Sequence, residues 1–445
     1  MFDRDFEFVE TIGMLRSIKL CMDYHIIYLF VIGFLLIFVT LGSGWISRLP
    51  ISYALIYLVV GILMSPYGFN LIQIRPGAEF LERLTELVVI ISLFSCGLKM
   101  NRPLRAWAWQ STARLIGILM PICIFSVAAI GYWGLGMSVG AAVLLGAILA
   151  PTDPVLASEV QISHPDDRDE LRFGLTSEGG LNDALAFPFV YFGLRWLKDA
   201  QWQNWVAEWV MVDLAWAIVA GITMGIIVAR SVIWVDNKLQ EFHRVDALME
   251  DFVGLSMILL TYSLTEFING YGFLAVFVAG ITTQRHCQSL EKKASQLEFT
   301  ETLEKLSEIG TILLLGSLLR VEPIVKYGGQ GLVVALLLLF VIRPVGAWIS
   351  AIGQNTNPIR PWLLGWFGIR GVGSLYYLFY SLGEGLKSEA GEQISWITLI
   401  TVVVSIILHG ITSTPLMNWY NRQVNTRNQR LASSIADLPS HQKSL

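Results

Sequence analysis

Apolar runs long enough to cross a lipid bilayer follow one another along almost the whole chain, and nothing else in the sequence constrains the fold as much. Crossing roughly 30 Å of hydrocarbon as a helix takes about 20 residues. Runs near that length occupy residues 26–45, 52–67, 84–100, 115–135, 139–160, 175–196, 206–232, 252–268, 273–283, 309–319, 332–352, 362–382 and 394–419. A polar stretch at 236–244 separates the first seven from the rest, and the runs 273–283 and 309–319 are short for a span. A backbone in hydrocarbon must satisfy its own hydrogen bonds, so the chain is expected to be an all-α polytopic membrane protein with about 13 transmembrane helices.

Composition agrees: 54% of the 445 residues are apolar and 15% charged, far from soluble averages. The 35 acids and 31 bases nearly cancel and form no basic run, which excludes nucleic acid as a partner. Cys21, Cys96, Cys123 and Cys287 are scattered without metal-ligand spacing and read as inert membrane thiols. No His-Glu-x-x-His or Gly-x-Ser-x-Gly motif occurs, so neither an enzyme nor a cofactor is expected. The first run follows an acidic start (Asp3, Asp5, Glu7, Glu10), lacks a small-residue cleavage site and reads as a retained helix. The organisation expected is an extracytoplasmic segment 1–25, a membrane domain 26–420 and a polar, disordered cytoplasmic tail 421–445. Bases including Lys99, Arg102, Arg230, Arg244 and Arg285 gather on the side that carries the C-terminus, about 17 against about 9, which places the N-terminus outside the cell membrane. Trp and Tyr near the span ends suit anchoring in membrane lipid.

Ionisable groups within hydrocarbon are costly and therefore mark candidate functional sites. Five stand well inside apolar runs: Asp153, Glu178, Asp183, Arg343 and Arg370. In the fifth run, Pro151-Thr152-Asp153-Pro154 carries two prolines that remove donors and clash with earlier carbonyls, so the helix is predicted to unwind there. Unwound backbone at membrane depth presents half-helix ends able to meet an ion or a fixed charge, and Asp153 would offset a positive end. Gly368-Ile369-Arg370-Gly371-Val372-Gly373 breaks the twelfth run in the same manner, and paired breaks point to an inverted-repeat transporter. Arg370 cannot release its proton and reads as a fixed charge compensating a negative half-helix end. In the sixth run, Glu178 and Asn182 share one helix face while Asp183 lies about 100° further round, so one acid can be held by an arginine while the other stays available. Gly179 and Gly180 suit close approach of another helix.

Elsewhere, Glu266 before the turn Asn269-Gly270-Tyr271-Gly272 reads as structural, and Glu301, Glu304 and Glu308 read as a solvated helix face. His164, in an acidic loop with Asp166, Asp167, Asp169 and Glu170, belongs to an ordinary charged loop, with a pH sensor as the alternative.

Together, Pro151 to Pro154, Glu178 with Asn182-Asp183, Arg343-Pro344-Val345-Gly346 and Gly368 to Gly373 resemble the cation/proton antiporter 1 family, the NhaP-like sodium/proton antiporters, over nearly the whole chain. The resemblance implies a homodimer, each protomer with a dimerisation domain and a mobile core in which the unwound fifth and twelfth helices cross. It implies that Asp183 is the shared carrier of cation and proton, that Na+ binds at Asp183 and Thr152 with Asn182 and Asp153 beside them, and that Glu178 pairs with Arg343. Asparagine rather than a second aspartate at 182, and arginine at 343, resemble the electroneutral branch. Na+ and H+ would then compete for one carboxylate, exchanging 1:1 by alternating access, with Li+ as a further substrate and pH homeostasis as the outcome. Gly179 stands where many relatives have serine, which leaves K+ open as the alternative cation; a cation channel is the remaining alternative.

Overall fold

The computed structural model describes residues 26, 29–42, 44, 51–71, 77–103, 105–153, 156, 160–162, 164–165, 167–241, 247–287, 289–354, 357–386 and 389–436. The expectations for residues 1–25, Cys21, Pro154, Asp166, Arg244 and 437–445 lie outside the described residues.

Every regular element among the described residues is helical. In order they are α1 Leu29–Gly42, α2 Tyr53–Met64, α3 Ala78–Lys99, α4 Trp107–Gly134, α5 Val139–Ile148, α6 Glu170–Leu185, α7 Phe187–Lys198, α8 Val206–Gln240, α9 Ala247–Phe267, α10 Gly272–His286, α11 Leu290–Leu318, α12 Val321–Ala351, α13 Ile359–Trp366, α14 Val372–Gly383 and α15 Glu389–Ala436. Among the described residues each apolar run holds one helix or, twice, a consecutive pair, and the fifth run is helical only over Val139–Ile148. α4, α8, α12 and most of α15 are long and apolar enough to cross a membrane unaided. The polarity is inverted relative to a soluble protein: Phe30, Phe34 and Phe38 line an exposed face of α1, while Thr152, Asp153, Glu178, Asn182, Asp183, Arg343 and Arg370 are buried.

Local chemistry sets the helix ends and bends. Ser52, Ser138, Asp169 and Ser289 each accept a backbone N–H from the first turn of the helix they precede. In α4 and α12, widened i→i+5 turns at Leu115–Leu119 and Leu338–Ile342 precede Pro121 and Pro344. Each proline lacks an N–H and its ring crowds the carbonyl four residues back; a wider turn relieves both.

Two expectations are corrected. Glu304 and Glu308 are buried rather than solvated, and Glu301 is half-buried, because this face of α11 packs against α2 and α3. Their polarity also explains why the apolar run 309–319 looked too short, since the helix extends back to Leu290. The tail expected to be disordered from 421 is helical to Ala436, continuing the last apolar run.

Glycines set the closest approaches. A Cβ on Gly97 of α3 would lie 2.9 Å from Gly280 Cα of α10, and a Cβ on Gly61 of α2 would lie 3.1 Å from Gly316 Cα of α11. Small residues let membrane helices touch backbone to backbone, where dispersion replaces the missing hydrophobic drive. Gly97→Ala should therefore destabilise the protein by about 1–3 kcal/mol through overpacking. Gly329→Ala, in α12 with nothing within 4 Å of its Cβ position, should instead stabilise by up to about 1 kcal/mol from helix propensity. Thermal melting in detergent reads both signs.

Candidate functional site

The site grows out of two interruptions in the helical backbone. α5 ends at Ile148 and residues 150–153 are non-helical, as are residues 367–371 between α13 and α14. A helix C-terminus leaves carbonyls without partners and an N-terminus leaves N–H groups, with partial charges to match. Each break supplies what the other lacks. Arg370 Nη1 donates to Ala150 O and, at 2.7 Å, to Pro151 O, just past the end of α5. Asp153 Oδ2 accepts the Val372 N–H at the first turn of α14, and Asp153 N donates to Ile369 O at 2.8 Å. The Asp153 carboxylate thus spans both segments: its Oδ1 accepts Leu156 N at 3.2 Å, as its own segment requires, while Oδ2 serves the opposite break. Gly371 has to be glycine, because a Cβ there would run into the Asp153 carboxylate.

α15 supports the second break. Arg370 N donates to Ser405 Oγ at 2.9 Å, and His409 Nε2 lies 2.7 Å from Trp366 O at the end of α13.

α6 brings the acids. Asp169 accepts the N–H groups of Leu171 and Arg172 and starts the helix, and the N–H-deficient Pro188 ends its regular run, so α6 gives way to α7 at Ala186. Arg343 meets Glu178 in a bidentate pair, Nη1 to Oε1 at 2.8 Å and Nη2 to Oε2 at 3.0 Å, with both side chains 1% exposed. Arg343 Nη2 also donates to Leu364 O at 3.2 Å. Asn182 Nδ2 reaches Glu178 Oε1 at 3.2 Å and Thr152 Oγ1 at 3.4 Å, tying α6 to the first break.

Asp183 points elsewhere. A Cβ on Gly373 would lie 2.5 Å from Asp183 Oδ1, so the carboxylate rests against the first turn of α14 where no side chain intervenes. Tyr377, one turn on, donates to the Asp183 backbone carbonyl. Asp183 Oδ1 and Asn182 Oδ1 are buried and receive no hydrogen bond from the described residues, and the same holds for Ser374 Oγ.

The structure therefore brings Thr152, Asp153, Glu178, Asn182, Asp183, Arg343 and Arg370 into one buried region. Sequence reasoning missed the contacts of Gly373, Tyr377, Ser405 and His409. Gly373 lay in the quoted glycine motif, and Tyr377 lies one helical turn beyond it; Ser405 and His409 carried no local signal. Gly180 does permit close approach, though its Cβ would meet the Phe277 ring rather than backbone. Glu266 and His164 lie apart: Glu266 Oε1 closes its turn by accepting Gly272 N at 3.0 Å, and His164 lines an outlying cavity near the end of α3.

The sodium/hydrogen exchanger transmembrane family matches residues 33–419 of this chain. The chain belongs to that family. As a sodium/hydrogen exchanger family member it is a multi-pass cation/proton antiporter and not an enzyme. It is similar to the K(+)/H(+) antiporter NhaP of Alkalimonas amylolytica, 24% identical over 88% of this chain and 67% of that protein. It is also similar to a Na(+)/H(+) antiporter of Schizosaccharomyces pombe, 21% identical over 91% of this chain and 93% of that one. The structure of the sodium proton antiporter MjNhaP1 from Methanocaldococcus jannaschii superposes with a TM-score of 0.67, at 22% identity, over 87% of this chain and 98% of that chain, which establishes the shared fold.

Breaking one partner of a buried ion pair leaves the other uncompensated. Arg343→Ala or Glu178→Gln should thus destabilise this exchanger-family protein by about 3–5 kcal/mol, and the apolar pair Glu178→Leu with Arg343→Met should recover much of that loss. Melting temperatures of the single and double variants test the coupling.

Proposed function

We propose that the protein exchanges Na+ for H+ with 1:1, electroneutral stoichiometry, and that Asp183 carries both in turn. The observation that carries this reading is the buried Asp183 Oδ1, which no described residue hydrogen-bonds, in a membrane helix where the adjacent Asn182 also keeps an unpaired oxygen. A bare carboxylate is disfavoured in such surroundings, so it takes either a proton or a cation. In this reading Thr152 Oγ1, the Asn182 amide oxygen and Asp183 supply the hard oxygens that suit a partly dehydrated Na+ or Li+, with Asp153 in the same buried region. Neither neighbouring acid adds a second exchangeable proton: Glu178 is engaged by Arg343, and Asp153 by the α14 N-terminus. One carrier charge that crosses neutralised in both directions moves no net charge.

In this reading the two breaks are the crossed, unwound fifth and twelfth helices of an inverted-repeat core with 13 spans. Asp153 and Arg370 compensate the half-helix ends, and Glu178 with Arg343 is a structural pair. The protein works as a homodimer in the cell membrane, with segment 1–25 outside, an antiporter domain over 26–420 and segment 421–445 in the cytoplasm. K+ is the second reading, favoured by the name of the Alkalimonas amylolytica relative and by Gly179, which offers no hydroxyl.

Dissipation of a proton gradient in proteoliposomes, with Na+, Li+ and K+ in turn, tests this. Wild type should exchange Na+ at a rate unaffected by an imposed membrane potential, and Asp183→Asn should abolish exchange. Exchange that survives in Asp183→Asn removes the carrier assignment, and dependence on potential removes the stoichiometry.

A further inference from the structure

Outside the site just described, the most unusual buried chemistry lies between α3 and α11. Glu304 is buried in α11, and one of its oxygens accepts Ser92 Oγ of α3 at 2.8 Å. Ser95, one turn along α3, turns its buried Oγ toward the same carboxylate without completing a hydrogen bond. One turn further, the buried Lys99 Nζ pairs with Glu301 at 2.8 Å and lies within the field of Glu304. Ser92, Ser95 and Lys99 thus form a stripe at helical spacing that faces a matching stripe of Glu301 and Glu304.

The charges do not balance. One ammonium faces two carboxylates, and its contact is with Glu301, at the edge of a cavity of about 430 Å3 that is also lined by Asn101, His164, Gln284 and Lys293. Glu304, deeper in, accepts its hydrogen bond from Ser92 and shares the single Lys99 countercharge with Glu301, and a buried anion so under-compensated is disfavoured relative to its neutral form. Among the described residues no other group near it adds a second countercharge. Lys305, next along α11, is exposed; α3 offers Cys96; α2 offers Tyr57 near Glu308; α9 offers Asp251, which accepts Ser295 Oγ.

We propose that Glu304, held by Ser92 with Ser95 beside it, is a second proton-binding site, distinct from Asp183, that exchanges protons through the Glu301-lined cavity and sets the pH dependence of transport. The proton moves from water in the cavity to a Glu304 carboxylate oxygen and returns the same way, without an oxidant or co-reactant. In the ionised state Glu304 competes with Glu301 for Lys99; in the protonated state it donates to a serine and Lys99 stays with Glu301. Either change bears on α3, which also meets α6: Cys96, about 40° round the helix from Ser92, lies against the Gly180 position, three residues before Asp183. The side of the membrane rests on the orientation proposed above; the site itself does not.

Glu304→Gln reproduces the protonated form and can still donate to serine, so it should keep exchange at the pH of maximal activity within about twofold of wild type. It should also lose one titrating step from the pH profile, while Glu304→Asp retains that step shifted by about one unit, a tenfold change in proton affinity. The profile is measured in proteoliposomes with pH varied on each side separately. A profile for Glu304→Gln that coincides with wild type overturns the proposal. Should Glu304→Gln fail to fold, infrared difference spectra of full-length protein between two pH values decide. A carboxylic C=O band should titrate in wild type and persist in Asp183→Asn, with its titration moved in Ser92→Ala/Ser95→Ala. A titrating band that vanishes with Asp183→Asn, or does not respond to the serine substitutions, overturns it. Because Asp183→Asn separates the two carboxyl groups, failure of this site and failure of the carrier assignment give different results.

Discussion

Two interrupted helices inside a membrane leave carbonyls and N–H groups that no water satisfies, and the exchange of Asp153 and Arg370 between the breaks is what makes the arrangement tolerable. The fixed positive charge sits on the carbonyls past α5, and the fixed negative charge sits on the N-terminus of α14. Each lies on the segment opposite to the one it serves, so the two breaks are chained together rather than merely adjacent. The glycines at 371 and 373 follow from the same constraint, because carboxylates occupy the space their side chains would need.

Asp183 takes its character from what its neighbours already hold. Glu178 is taken by Arg343 and Asp153 by backbone N–H groups, so of the three acids in the region Asp183 is the one with a buried oxygen that no described residue hydrogen-bonds. In the proposed exchange, burying one uncommitted carboxylate among committed ones creates a competition between proton and cation without adding a further mobile charge. Asn182 shares its amide between Thr152 and Glu178, which ties the fixed pair to the first break beside the proposed carrier, Asp183.

Much of this was legible in the sequence, for identifiable reasons. Apolar runs follow from the bilayer's thickness, and prolines and glycines at membrane depth announce broken helices because few other causes retain them there. The charged residues in those runs were few enough to name. What stayed hidden was pairing across the chain: no local pattern says that Asp153 serves Val372, or that Ser405 and His409 hold the second break. The acidic stripe on α11 was misjudged because buried and solvated carboxylates share the same spacing; the signal that separates them was the serine and lysine stripe on α3. The continuation of α15 to Ala436 escaped because polar composition alone was read as disorder.

The central claim is that one carboxylate binds the cation by giving up its proton. The direct measurement is proton release from purified, weakly buffered protein on addition of saturating Na+, at a pH where the carrier is protonated. The account predicts release of one proton per protomer in wild type and none in Asp183→Asn. Release that persists undiminished in Asp183→Asn would contradict it.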